Sequence, residues 1–396
     1  MAPLGATRAA KATVETFIEP TFKDKSGQSF RPDGLIRVHF GKQDPWVALV
    51  EVKTGSNALR VEQVNSYIEL ARAHGFDMVI TISNEIAPSE GQHPTVGLNV
   101  RSNSRVKVAH FSWTRVAAIA SRVRDRSNVD DHEQAWILGE LLRYLEHQNS
   151  GALEFDDMGE SWTAVRDAAR GGTVAARDPG TEDVASRWDQ LMTYAAMKLS
   201  IRINEDVEEV LPKSHRTDAA ARRKDFAKEL ADEGTLTAYL RVPRTAGDIQ
   251  ISADLRARQV ALAMTVAAPS DKKARGSLTW LTRQLPDAPD DLHIDCYAKG
   301  SSRPVSGIMS TIRTDPAQML DSLGDDIARF VVRVQRDVSV GRRGGKNAGF
   351  VGSVIDSTFS FYDSVVQPIT PYQERAPKAS AAGSVASERE LGSDDE

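Results

Sequence analysis

The sequence predicts an α/β unit at the N-terminus, a helical stretch after it and an α+β unit at the C-terminus. Three observations carry this reading. Over residues 1–150, β-type apolar runs alternate with segments of helical spacing; over 151–233 the spacing is mostly helical; from 234 the apolar period changes to two. The expected organisation is therefore 1–150, 151–233 as a helical linker region, and 234–372. A tail over 373–396, small, polar and acidic at its end, lacks the residues for a core and is expected to be disordered.

Each element has a local reason. "ETFIEPTFKD" and "SFRPDGLIRVHF" are β-rich and separated by the turn cluster "KSGQS", and "GKQDP" separates the latter from "WVALVEVKTG". "ALRVEQVNSYIELARAHG" is helical, with Leu59, Val64, Ile68 and Ala71 on one face and Gly75 as its stop. "FDMVITISN" and "RVKVAHFSW" read as buried strands. "SWTRVAAIASRVRDR" and "DHEQAWILGELLRYLEHQ" read as amphipathic helices, the second with Asp131 as N-cap. In "VASRWDQLMTYAAMKLSIRI", Val184, Trp188, Leu191, Ala195 and Leu199 form a core stripe. "TLTAYLRVP", "DIQISADLR" and "RQVALAMTVAAP" are three successive strands, "SLTWLTRQL" a helix and "DLHIDCYAK" a strand. "DPAQMLDSLGDDIARFVVRVQRD" begins as a helix.

Composition narrows the function. The chain of 396 residues is 40% hydrophobic and 27% charged, with a formal net charge of -5, so any nucleic-acid contact must come from a local patch. One cysteine, Cys296, excludes an internal disulfide framework; it is expected to be a buried, inert strand thiol. No apolar run suits a membrane span and the N-terminus has no secretory h-region, so the expectation is a soluble cytoplasmic protein. No Walker loop or Gly-x-Gly-x-x-Gly follows a strand. No histidines form an HxxxH or HExxH pair, and His39 reads as a satisfied strand residue.

The unusual feature is a buried strand, Val47 to Val50, that ends on Glu51 and Lys53. Alternation puts both charges on one face. A hairpin centred on Lys42 pairs Phe40 with Asp44 and Val38 with Trp46, and sets Asp33 opposite Glu51; a slip of one or two residues shifts the partner to Val52 or Lys53. Facing residues have Cβ atoms about 4.5–5.5 Å apart, where two carboxylates repel unless a cation lies between them. Lys53 supplies one charge, and a divalent ion explains the pair better. Mg²⁺ suits it, with one or two carboxylates, retained waters and phosphate oxygens. Two acids and a lysine around such an ion form a hydrolytic site for phosphodiesters. The plain alternative is an exposed Glu51–Lys53 ion pair, worth about 0–1 kcal/mol.

Pro32-Asp33 followed by Glu51-Val52-Lys53 resembles the PD-(D/E)XK nuclease superfamily. The resemblance covers about the first 150 residues, and "VEVKTG…EQV…Y…AR…GFD…TISN" further resembles predicted nucleases of actinobacterial type. It implies an α/β restriction-endonuclease-like core with a mixed central sheet, here followed by the helical region and the C-terminal α+β domain. It also implies Mg²⁺ (or Mn²⁺) on Asp33 and Glu51, with Lys53 assisting the attacking water. Gln63 and Tyr67, spaced i, i+4, resemble the Gln-x-x-x-Tyr element of some nuclease branches; Gln63 also reads as a solvated helix position and Tyr67 as core packing. The family adds a third acid from a helix before the first strand. Here that segment is short, and Glu15 and Glu19 are the available metal ligands.

Outside this unit, "GRRGGKNAG" offers Arg342, Arg343 and Lys346 to a nucleic-acid phosphate, or is simply a solvated loop. "ARRKDFAK", with Arg222, Arg223 and Lys224, reads as the wet face of a helix. The expected function is Mg²⁺-dependent phosphodiester hydrolysis, DNA ahead of RNA, in restriction, other defence or repair. The alternative is a nuclease-fold protein that binds or regulates without cutting. The expected partner is nucleic acid, with no membrane and room for a homo-oligomer.

Overall fold

The computed structural model describes residues 12–23, 27–41, 43–87, 92–95, 97–98, 100, 104–126, 132–321, 323–324, 326–343 and 349–373. Asp131, Lys42, Lys346 and all but the first residue of the expected tail lie outside these segments. Among the described residues the protein is mixed α/β, and no helix is long and apolar enough to cross a membrane.

The N-terminal sheet begins with β1 (Thr13–Ile18). A two-stranded excursion follows, β2 (Phe22–Lys23) with β3 (Ser29–Phe30), and then β4 (Gly34–His39) and β5 (Trp46–Val52). Helix α1 (Val61–His74) crosses to β6 (Met78–Ser83), and β7 (Lys107–Ser112) runs directly into α2 (Trp113–Arg126) and then α3 (His132–Glu146). Sheet order is β1-β4-β5-β6-β7, antiparallel across the first two interfaces and parallel across the last two. A parallel return needs a crossover, and α1 supplies it between β5 and β6. Gly75 ends α1 at φ 71°, a left-handed cap that lets Phe76 N–H reach back to the Ala71 carbonyl. Alternation along β5 divides the core between two faces. Val47 and Leu49 join Val64, Tyr67, Ile68 and Ala71 on the α1 side, while Ala48 packs with Met78 and Ile80 on the other.

The remainder begins with α4 (Trp162–Gly171) and α5 (Pro179–Ile203). The latter starts on Pro179 and is capped by Asp178, whose carboxylate accepts from Gly180 N–H. Next come β8 (Glu208–Glu209), α6 (Lys213–Thr217), α7 (Ala219–Asp232), β9 (Thr235–Arg241), β10 (Ile249–Asp254) and β11 (Gln259–Ala267). Then follow α8 (Ala274–Arg283), β12 (His293–Ala298), β13 (Val305–Ile308), α9 (Met309–Thr314), α10 (Ala317–Leu320), β14 (Ile327–Asp337) and α11 (Phe350–Phe361), which runs into a π-helical turn at Tyr362–Val366. The second sheet is antiparallel, in the order β13-β12-β14-β11-β10-β9-β8.

Two expectations need correction. Residues 151–233 are not a linker: Trp162, Trp188 and Leu199 share one core with Leu236, Ile251 and Phe330, and β8 extends the sheet itself. The segment 315–337 begins as a helix, as its spacing predicts, and continues as a strand. Phe330, Val332 and Val334 then alternate into the core of an eleven-residue central strand, so their period of two prevails over the helical beginning. Arg222 does not face water; it is 1% exposed and bonds Asp189.

Candidate active site

The strand hairpin β4–β5 has the expected register, with Val38 across from Trp46 and Gly34 across from Val50. Continued by one residue, it brings Asp33 to Glu51. The Asp33 carboxylate accepts a 2.7 Å hydrogen bond from Val52 N–H, which fixes it beside the end of β5. Parity does the rest. Glu51 follows Val47 and Leu49 onto the α1 face, where it is 2% exposed.

Three groups converge on Glu51. The Lys53 ammonium bonds its Oε1, and Gln63 Nε2 donates to the same oxygen at 2.6 Å. Tyr67, buried in the core one turn further along α1, places its hydroxyl 3.4 Å from Gln63 Nε2 and from the Arg31 carbonyl. Gln63 therefore turns to Glu51 rather than to open solvent, and Tyr67 packs in the core with its hydroxyl toward the same cluster. Burial pushes the Glu51 carboxyl above the usual carboxylate range; Lys53 pulls it back, and the Asp33 charge pushes it further up. Burial and the same two acids raise the Tyr67 hydroxyl as well. The Lys53 backbone is held on both sides, its N–H by the Ile82 carbonyl at 2.8 Å and its carbonyl by the Trp113 indole at 2.9 Å.

The third acid is not in place. Glu15 lies on exposed β1, across from Arg37, and its carboxylate bonds Arg37 and His39. Glu19, at φ 48°, donates its backbone N–H to the Asp33 carbonyl at 3.0 Å, but its carboxylate pairs with Arg31. Glu15 is also separated from β5 by the whole width of β4. Among the described residues no three His, Cys, Asp or Glu side chains form a group able to hold a metal. The donor set is two carboxylates, one of them buried and disfavoured as an anion by its neighbour. That set fits a hard divalent cation that keeps most of its shell for water and phosphate oxygens.

The two arginines that begin the glycine-rich segment have partners of their own. Arg342 grips Asp157 through two bonds of 2.7 and 3.0 Å, and Arg343 adds a third at 2.8 Å. Against the upward push of burial, these bonds hold Asp157 down to about 2. Arg342 and Arg343 are therefore engaged with Asp157 rather than free for a phosphate. Cys296 is buried, and burial raises its thiol to about 12, as its strand position implies.

Two polar clusters carry no sequence signal. On adjacent parallel strands Thr81 pairs with His110, and its hydroxyl lies 2.9 Å from His110 Nδ1 and 2.8 Å from His93 Nε2. His93 Nδ1 accepts from Thr95 N–H, and His110 Nε2 meets the Glu85 carbonyl at 2.8 Å. Those outer partners assign the protons. His93 Nε2–H donates to Thr81, Thr81 donates to His110 Nδ1, and both rings are neutral. Burial lowers both, His93 to about 4. The second cluster is buried under α5: Arg222 bonds Asp189 at 2.6 Å, and burial pushes nearby Glu209 up to about 8. Glu209 thus keeps its proton at neutral pH, so one cation faces one anion. Strand pairing across 29 residues and helix packing across 33 bring these groups together, and no spacing rule encodes either. Comparison with protein-family models, with curated proteins and with solved structures gives no match for this chain.

Proposed function

We propose that the N-terminal unit is a PD-(D/E)XK-like, restriction-endonuclease-like nuclease domain that hydrolyses phosphodiester bonds of nucleic acid, DNA ahead of RNA. The observation that carries this reading is the meeting of Asp33, Glu51 and Lys53 at the end of β5, with Gln63 locking Glu51 from α1. Asp33 and Glu51 would hold Mg²⁺ or Mn²⁺, which when bound supplies Lewis acidity to the phosphoryl group and a more acidic water. Lys53 orients the attacking water and faces the charge that develops on the phosphate. Gln63 fixes the Glu51 oxygen, and the anchored Lys53 backbone keeps the amine from drifting.

Purified protein incubated with supercoiled and linear DNA in Mg²⁺, Mn²⁺ or EDTA tests this. Metal-dependent cleavage is expected, falling on the order of 10²–10³-fold in Lys53→Ala. No cleavage with either metal, or a fully active Lys53→Ala, overturns it. The missing third acid supports a second reading, a nucleic-acid-binding or regulatory module on the same scaffold. Binding without cleavage in the same assay selects that one.

A further inference from the structure

A cleft of about 560 Å³ opens between the N-terminal sheet and α5. Its floor is made by residues 55–58, directly after Lys53, and 84–86, directly after β6. These are the carboxyl ends of two parallel strands, where open α/β sheets bind ligands. The opposite wall is one face of α5, and Arg223 reaches in from α7.

The wall is rich in donors. Asn57, Ser186 and Gln190 line it together with Arg187 and Arg223. Neither of these two guanidiniums has a carboxylate within ion-pair distance among the described residues, whereas Arg222, Arg333 and Arg342 each do. Two acids also border the cleft. The Glu85 carboxylate is engaged, accepting from Leu59 N–H and Ser83 Oγ, whereas Asp183 Oδ2 and Arg187 Nε lie 3.1 and 3.3 Å from the point a Cβ on Gly159 would occupy, so one carboxylate stands near the arginine without pairing it. His93 contributes no charge, since its ring is neutral and bonded to Thr81. Arg187 Nη1 donates to Gln190 Oε1 at 3.3 Å, and the cationic charge without an ion-pair partner is two planar forks suited to a phosphate. Ile86 and Phe155 add apolar surface on which a base can stack.

We infer that this cleft binds one phosphate-bearing nucleotide unit, its phosphate on Arg187 and Arg223 and its base against Phe155. The volume lies within the range of small-ligand sites and suits a single nucleotide. The unit belongs to a nucleic-acid strand if the nuclease reading holds, on which that source rests, or is a free nucleotide if it does not. In the first case the cleft receives the strand as it leaves Lys53.

The test measures binding in EDTA, where no cleavage occurs. A fluorescein-labelled single-stranded oligodeoxynucleotide is titrated with full-length protein by anisotropy, with a deoxynucleoside monophosphate mixture and inorganic phosphate as competitors. Arg187→Ala/Arg223→Ala is expected to weaken binding at least about tenfold and to flatten the log K against log salt slope by about 0.7, for the one strand phosphate the two arginines share. Ser186→Trp fills the cleft without removing charge and is expected to weaken binding as well, with an unchanged melting temperature. Binding of a fluorescein-labelled deoxynucleoside monophosphate with no oligonucleotide binding assigns the free nucleotide. Wild-type affinity in both variants, or no binding of either probe by the wild type, overturns the inference. The cleavage assay above is independent of this one: DNA cut normally by the arginine variant removes the cleft alone, and nucleotide binding without cleavage removes the nuclease alone.

Discussion

Gln63 Nε2 and Glu51 Oε1 lie 2.6 Å apart, so α1 holds the acid near the end of the central strand. That bond uses one of the Gln63 amide hydrogens and leaves the carboxylate in one orientation. Gln63→Ala is expected to reduce Mg²⁺ affinity on the order of 10–100-fold, as loss of a ligand's outer partner does. Titration calorimetry checks this, with little change in melting temperature because Gln63 is only half-buried.

The raised Glu51 carboxyl makes cation binding depend on pH. Burial disfavours its anion, with Asp33 adding to the effect against Lys53, so a proton competes with the metal above the ordinary value of 4.5. Mg²⁺ affinity should climb as pH rises through the raised value. Over the same interval the metal-free protein should lose stability, because the native state retains a proton that the unfolded chain has released. Glu51→Gln should abolish the affinity slope and remove the Glu51 share of the stability slope, read by calorimetry and by urea melts of both proteins from pH 4.5 upward.

The Thr81 relay predicts a cost of known sign. Thr81→Val keeps the strand shape but leaves the His93 Nε2–H and His110 Nδ1 unpaired, a loss of about 1–3 kcal/mol at pH 7. The His93 contribution to stability should also fall as pH drops from 6.5 toward about 4, since the unfolded chain takes up protons there that the buried His93 does not. Urea melts at pH 7 and pH 5 measure both effects.

Glu209 should act in the opposite direction. Its carboxyl is held up to about 8 by burial first and the Asp189 charge next, so Glu209 contributes a loss of stability as pH rises from 4.5 to about 8. Glu209→Gln removes that loss and is expected to stabilise the protein by about 1–3 kcal/mol at pH 8 while changing little at pH 4.5. Thermal melts of both proteins at the two pH values decide it.

The N-terminal unit was largely legible because its information is local. The period of two in 46–52, the helical period and glycine stop in 61–75, and a short hairpin fix Asp33, Glu51, Lys53 and Gln63 relative to one another. Glu15 and Glu19 failed as ligands because a strand edge is set by side-chain partners, here Arg37, His39 and Arg31, that proximity in sequence does not reveal. β14 was hidden by a short helix before it, and α11, where no element was expected, is defined by burial against β11 rather than by a strong local signal. Arg222 looked like a surface charge because its neighbours are; only the packing of α7 on α5 turns it inward.

Gly151 lies at the seam between the two units. Its carbonyl accepts from Gly55 N–H and from the Asn84 amide, both at 2.8 Å, and at φ 75° an added Cβ would come 2.8 Å from Thr54 Cβ. The clasp therefore closes two residues beyond the Lys53 amine. Prying the halves apart would tug on the very peptide that aims this amine, so the C-terminal mass serves as the anvil against which the proposed cutting edge is braced.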